Sequence, residues 1–210
     1  MNVRTILMCA VAAMLLSGAN AASTYDGNGQ VPEQFRLSGK AASKQHDYLS
    51  INAETAEKLA KACEAIARKN NSQVVVLIID PQGLPVHMHR MDGEGWIQIK
   101  ATEQKALTAL RTRAPSRVLN NRNVEDPFTN SNMKGYDLTT QEGGLPIIVN
   151  GQLIGAIGVG GIPPAERNAT YGEEMCARDA LEQVIGPQPP LLPDLAAQRR
   201  AGAQQKQTRN

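Results

Sequence analysis

The dipeptide Asn150-Gly151, set between the apolar runs LPIIV (145–149) and QLIGAIGV (152–159), constrains this chain more than any other feature. Both central positions of a two-residue type I′ hairpin need positive φ, which Asn and Gly tolerate better than other residues. The pair therefore predicts antiparallel strands over Leu145–Val149 and Gln152–Val159. A second hairpin is predicted upstream. The run QVVVLIID (73–80) is too short for a helix and rich in β-branched residues, the pattern of a buried strand. Pro81-Gln82-Gly83 turns the chain, and Leu84 to Met91 returns as its partner.

Helical periods surround these hairpins. Asn52 suits the N-cap of a helix from about Ala53 to Lys69, with Ala56, Leu59, Ala60, Cys63, Ile66 and Ala67 on one stripe. Asp92-Gly93-Glu94-Gly95 breaks the second strand, and a helix follows from Ile97 to Arg113, stopped by Pro115. Its expected buried face is Ile99, Ala106 and Leu110. Residues 116–140 are polar and irregular, and read as a long loop with room for one short strand; loops of that length are usually functional or interactive. A final helix is expected from about Ala165 to Ile185, with Ala169, Cys176, Ala177, Ala180, Leu181 and Val184 as its apolar positions. This order of elements predicts an α+β domain, an antiparallel sheet with helices packed on it.

The two ends have a different character. Arg4, the apolar run Ile6–Leu16 and Ala19-Asn20-Ala21 form the n-, h- and cleavage-site pattern of a secretory signal peptide, 1–21, cleaved after Ala21 or Ala22. That run is too short to span a bilayer, and no other stretch is apolar enough. Residues 22–50 read as an extended arm, 51–186 as the domain, and 187–210 as a Pro-rich polar tail. The expected location is periplasmic or secreted. Without Arg4 the 22 basic residues become 21 against 20 acidic ones, a net charge of +1. Neither nucleic acid nor an anionic membrane is favoured by that balance, and 3% aromatic content leaves little for stacking on bases. Cys63 and Cys176 survive processing; an oxidising compartment permits a disulfide, and two separate buried thiols are the other reading.

Candidate site residues fall in three places. On the strand Leu84–Met91, alternation puts His87, His89 and Met91 on one side and Val86, Met88 and Arg90 on the other. Two imidazoles so spaced, with a thioether beside them, suit one metal ion or a haem iron; two solvent-facing histidines are the alternative. Arg90 could hold a carboxylate through a bidentate guanidinium contact, whereas Asp92 is better read as capping a turn or pairing with Arg90. On the middle helix, Ala101, Lys105, Thr108 and Thr112 share a stripe, either a seat for an acidic ligand or a solvated edge. Gly143 and Gly144 stand where the loop meets the hairpin and permit close backbone approach or positive φ. No Ser sits in a nucleophile elbow and no triad can be drawn, so no catalytic residue is assigned and a hydrolase is disfavoured. Gly155 to Gly161 is no dinucleotide fingerprint, since Pro163 stands where the last glycine is required.

Three segments, VVVLIIDPQGLPVHMHRMDG (74–93), EQKALTAL (103–110) and QEGGLPIIVNGQLIGAIGVGG (141–161), together resemble the GlcG/HbpS family of haem-binding proteins, which includes the C-terminal domain of the PduO adenosyltransferases. The likeness covers about Ala53 to Ile185. It implies a profilin-like fold with a central antiparallel sheet of about five strands, assembly as a homo-oligomer, and haem as the cofactor. It also implies neighbouring first and last helices, which would bring Cys63 and Cys176 within reach of a disulfide. The family usually has small or apolar residues where this chain has His87 and His89, so no axial ligand is carried onto them. The resulting expectation is an exported haem- or tetrapyrrole-binding protein for sensing, storage or protection, with Arg90 and Lys105 meeting propionates. An enzyme or enzyme accessory acting on a small organic acid is the alternative, and an oligomeric partner-binding module a third.

Overall fold

The computed structural model describes residues 49–126, 128, 135–168 and 170–207. The expected signal peptide and all but the end of the arm lie outside them, as does Ala169.

Helix α1 (Ala53–Lys69) starts where Asn52 Oδ1 accepts the Thr55 amide at 2.8 Å, the N-cap its sequence predicts. Strands β1 (Val75–Ile79) and β2 (Pro85–Arg90) follow as a hairpin, then helix α2 (Trp96–Thr112), which Arg113 closes with φ 54°. Strands β3 (Gly144–Val149) and β4 (Gln152–Gly160) form the second hairpin, with Asn150 at φ 50° and Gly151 at φ 78°. Among the described residues four strands make one antiparallel sheet in the order β2-β1-β4-β3, against the expected five or so.

Three other expectations are corrected. Residues 116–140 are not all loop: helix α3 (Arg117–Glu125) occupies the first part. Its sequence carries little apolar periodicity, and what holds it is tertiary. Leu119 is fully buried, and the Ser116 amide and hydroxyl exchange hydrogen bonds with Gly144 of β3 at 2.8 and 3.0 Å. The last domain helix does not begin at Ala165. A 3-10 turn (Pro164–Glu166) and an Asn168 turn, whose Oδ1 accepts the Thr170 amide, delay helix α4 to Glu173–Val184. The tail is helical too. Asp194 Oδ1 accepts the Ala197 amide at 2.8 Å and caps helix α5 (Leu195–Gln207), rich in Ala, Gln and Arg. No described helix is long and apolar enough to cross a membrane.

Both faces of the sheet are covered. On one, Val74, Val76 and Ile78 pack with Leu59, Cys63, Ala177 and Leu181 of α1 and α4. There Cys63 and Cys176 form a disulfide with their Cα atoms 5.4 Å apart. On the other, Leu77, Ile79 and Ala156 pack against Ala106, Ala109 and Leu110 of α2. Ile99, expected in that face, is only half-buried.

The α2 side depends on glycine. Gly144 pairs with Gly158, Gly158 with Leu77, and Gly160 with Val75, so the three glycines share this face. A β-carbon at Gly144 would stand 2.1 Å from the Lys105 carbonyl oxygen, and one at Gly158 2.4 Å from that of Thr102. The helix backbone lies directly on the strands. Gly158→Ala should therefore lower unfolding stability by about 1–3 kcal/mol, the usual cost of overpacking. Gly135→Ala, where a β-carbon meets nothing within 4 Å, should stay within about 0.5 kcal/mol of the parent in denaturant titrations.

Candidate functional site

Because α2 sits so close to the sheet, the side chain of Lys105 has no route to solvent along it. Lys105 is 2% exposed, and its ammonium donates to the Val159 carbonyl at 3.2 Å and to Glu173 Oε2 at 2.9 Å. Burial pulls its pKa below the ordinary lysine value, and the Glu173 charge works against that shift. Glu173 opens α4, where the helix dipole favours a carboxylate, and its Oε1 accepts the Gly161 amide at 3.0 Å.

From this pair a chain of charges runs along one end of the sheet. Arg167 reaches Glu173 Oε2 at 2.9 Å and Glu142 Oε1 at 3.2 Å, and is fixed by the Ile162 carbonyl at 2.8 Å. The other oxygen of Glu142 accepts from Arg117. The guanidinium of Arg117 also meets Glu174 through Nε at 2.6 Å and Asp194 at 3.1 Å. Glu174 is 1% exposed and its Oε1 has no hydrogen-bond partner. Burial raises its carboxyl above the usual glutamate range despite the Arg117 contact.

These groups border a cavity of about 1050 Å³. Lys105, Arg117, Arg167 and the carboxylates of Glu142, Glu173, Glu174 and Asp194 form its polar side, and Ile97, Ile162, Pro163, Pro164 and Met175 an apolar side. Tyr171 lines it as well; its hydroxyl is buried near Ser72 without a well-placed partner, and burial raises its pKa.

The residues singled out from sequence separate into two groups. Gly144 lies against the Lys105 backbone of α2, and Gly143, at φ +110°, against the Val159 carbonyl of β4 and the Glu173 side chain, so the close approach they permit is that of the chain's own elements. Thr108 is fully buried one turn further along α2, where its hydroxyl oxygen accepts the Thr139 amide at 2.9 Å. Neither stripe residue is the solvated edge that was the alternative for them. His87 and His89 stand elsewhere, on edge strand β2, half-buried and paired with Ile78 and Val76. His89 Nε2 lies 3.2 Å from Glu64 of α1. Met91 is a core residue, Arg90 donates to the Glu94 carbonyl at 2.7 Å, and Asp92 is exposed in the turn. Among the described residues no three His, Cys, Asp or Glu side chains are arranged to hold a metal ion.

Arg117, Glu142, Arg167, Glu173, Glu174 and Asp194 are absent from the sequence-level candidates. One signal existed for Glu173. It lies three and four residues before Cys176 and Ala177, on the apolar stripe, where a charge implies a buried partner.

Glu174 makes a pH dependence testable. Its pKa is raised in the folded state, so the native protein binds its proton more tightly, and stability is lost as pH rises above the ordinary value of 4.5. Glu174→Gln does not titrate. The melting temperature of the variant minus that of the parent should therefore be more positive at pH 7.5 than at pH 4.5; a difference independent of pH would contradict the assignment.

Comparison with known proteins places this architecture. The chain is 31% identical to protein GlcG of Escherichia coli K12 over 113 residues, 52% of this chain and 80% of GlcG. The crystal structure of HbpS superposes with a TM-score of 0.57 at 26% identity, over 71% of this chain and 98% of HbpS. That of a PduOC–haem complex has a TM-score of 0.54 at 22% identity, over 63% and 94%, and shares the fold. The profile of the family described as "Haem degrading protein HbpS-like" matches residues 51–176, more than half of the sequence, and to that family the chain belongs.

Proposed function

We propose that the chain is an exported haem- or tetrapyrrole-binding protein that seats its ligand in the cavity beside Lys105 and Arg167. The cavity carries this reading: in an HbpS-like domain, about 1050 Å³ lies between an apolar wall and a row of cations. That volume suits a large planar ligand. Ile162, Pro163, Pro164 and Met175 offer the apolar surface a porphyrin needs, and Arg167, about a third exposed, offers a fork for a propionate. Met175 and Tyr171 are of donor types known to hold haem iron. A bound haem would bring redox-active iron; the role of the chain's residues is to seat the macrocycle and balance its carboxylates. Sensing, storage and protection are each compatible with such a seat.

Hemin added to the mature chain should give a shifted Soret band. Arg167→Met should weaken binding by about tenfold, the loss of a charge-assisted contact, and His87→Ala with His89→Ala should leave it unchanged. The reverse pattern would move the site to β2. A free-hemin spectrum throughout would overturn the reading.

The second reading, a small organic acid as ligand or substrate, rests on Lys105, a buried ammonium with a depressed pKa beside Arg167. A saturable thermal shift with a hydroxy or keto acid, and none with hemin, would establish it instead.

Export is supported by the sequence pattern of residues 1–21 and by the Cys63–Cys176 disulfide, which an oxidising compartment maintains. Homo-oligomer assembly is supported by the large apolar side chains Leu84, Met88 and Trp96, which stand exposed. Protein recovered from the periplasm after expression of the full chain should start at Ala22 or Ser23 and sediment above the mass of one chain. An uncleaved, reduced monomer would contradict both.

A further inference from the structure

The segment after α4 crosses back over the molecule. It leaves Gly186 through Pro187, Pro189, Pro190 and Pro193, and Leu191 packs against the core beside α1 and α4. It then docks on α3, where Asn121 donates to the Pro193 carbonyl at 2.8 Å and accepts the Leu195 amide at 3.3 Å. Residues 187–207 lie beyond the family-matched region, which ends at residue 176, yet Asp194 and Ala197 form part of the cavity wall.

Asp194 does two things at once. Its Oδ1 caps α5, and its Oδ2 meets the guanidinium of Arg117 at 3.1 Å. Of the three carboxylates on Arg117, Glu142 and Glu174 belong to the domain: Glu142 is shared with Arg167, and Glu174 is buried in the first turn of α4. Asp194 is the most exposed of the three, with 32% of its side chain accessible, and among the described residues it pairs with no second cation. The charge balance gives this contact its meaning. In the network, three cations (Lys105, Arg117, Arg167) already face four carboxylates (Glu142, Glu173, Glu174, Asp194). A ligand carboxylate added to that set would be a fifth anion beside partly buried carboxylates, where like charges repel.

We propose that Arg117 is a second carboxylate receptor of the cavity, beside Arg167, and that Asp194, carried on the C-terminal strap, occupies it until an acidic ligand takes its place. The exchange leaves the charge count unchanged, and it converts ligand binding into release of residues 193–207, while Leu191 stays packed on the core. This inference rests on the acidic-ligand reading of the cavity and adds which group receives the acid and what must move. The strap thereby sets a threshold of affinity and signals occupancy at the surface.

The test uses the full mature chain with two substitutions that loosen the strap differently. Asp194→Asn removes the competing charge but keeps the helix cap, since Asn caps as well as Asp. Asn121→Ala removes the two docking bonds and alters no charge. Both should bind hemin about fivefold more tightly than the parent, the scale of a partly exposed ion pair. Hydrogen exchange of the α5 amides in the parent should accelerate on adding hemin, because an undocked helix of 13 residues is marginal in water. Hemin dimethyl ester, which lacks the carboxylates, should bind without that acceleration. If hemin binds but α5 exchange is unchanged and neither variant binds more tightly, the strap proposal falls and the haem reading stands. If neither hemin nor citrate binds to the parent or to either variant, both fall.

Discussion

The contact on which the rest depends is that between the backbone of α2 and the glycines of β3 and β4. Elsewhere in the domain, side chains separate helix from sheet. At Gly144 and Gly158 nothing does, and at Gly160 only the Thr102 hydroxyl does, so the helix comes down onto the strands. Lys105 leaves α2 at this point of closest approach. Its aliphatic stem has to run along the sheet and its ammonium has to emerge at the end of β4, where Val159 and Glu173 receive it. A β-carbon in the strip would lift the helix and detach the lysine from its carboxylate.

Buried charge of this kind is a weak source of stability, because desolvation offsets most of the Coulomb attraction. Its effect here is positional. Lys105 on one face of the sheet and Glu173 on the helix of the other face are tied together around the sheet's end, and Arg167 and Arg117 extend the tie to the loop before β3 and to α3. The opposite requirement, holding α1 to α4, is met by small apolar residues and the Cys63–Cys176 bond. The domain thus has one dry side locked covalently and one polar end held by ion pairs. The cavity lies at the polar end, where groups can exchange partners without disturbing the core.

What could be read from sequence follows from how local each signal is. The Asn150-Gly151 hairpin, the Asn52 cap and the run of β1 are written in neighbouring residues, and the structure follows them. Helix α3 was not legible because its support comes from Gly144 and a buried Leu119, contacts that no periodicity within 117–125 announces. The tail helix was not read, because the prolines ahead of it marked 187–210 as a Pro-rich polar tail, although Asp194 caps it in the structure. For the site, Lys105, Gly143 and Gly144 could be picked out, while their partners could not. Arg117, Glu142, Arg167 and Glu173 lie 12 to 68 residues from Lys105, and only the folded chain brings such charges together. His87 and His89 drew attention as the rarer chemistry, yet alternation along β2 turns them toward α1, where His89 meets Glu64.

The excess of carboxylates at the cavity bears on what kind of ligand it can hold. A site with three cations and four anions is not an open anion receptor, and its guanidinium groups are engaged before any ligand arrives. Burial raises the pKa of Glu174, and protonation there would leave Arg117 with two anions rather than three. The other relief proposed is geometric, because Asp194 is the most exposed of the three carboxylates on Arg117 and lies beyond Leu191, the strap residue that packs on the core. Protonation and strap release are two routes to the same change in local charge, so they should substitute for one another. On the proposed exchange, the cavity would become more receptive to a carboxylate as Glu174 gains its proton, and more receptive at neutral pH once Asp194 is displaced.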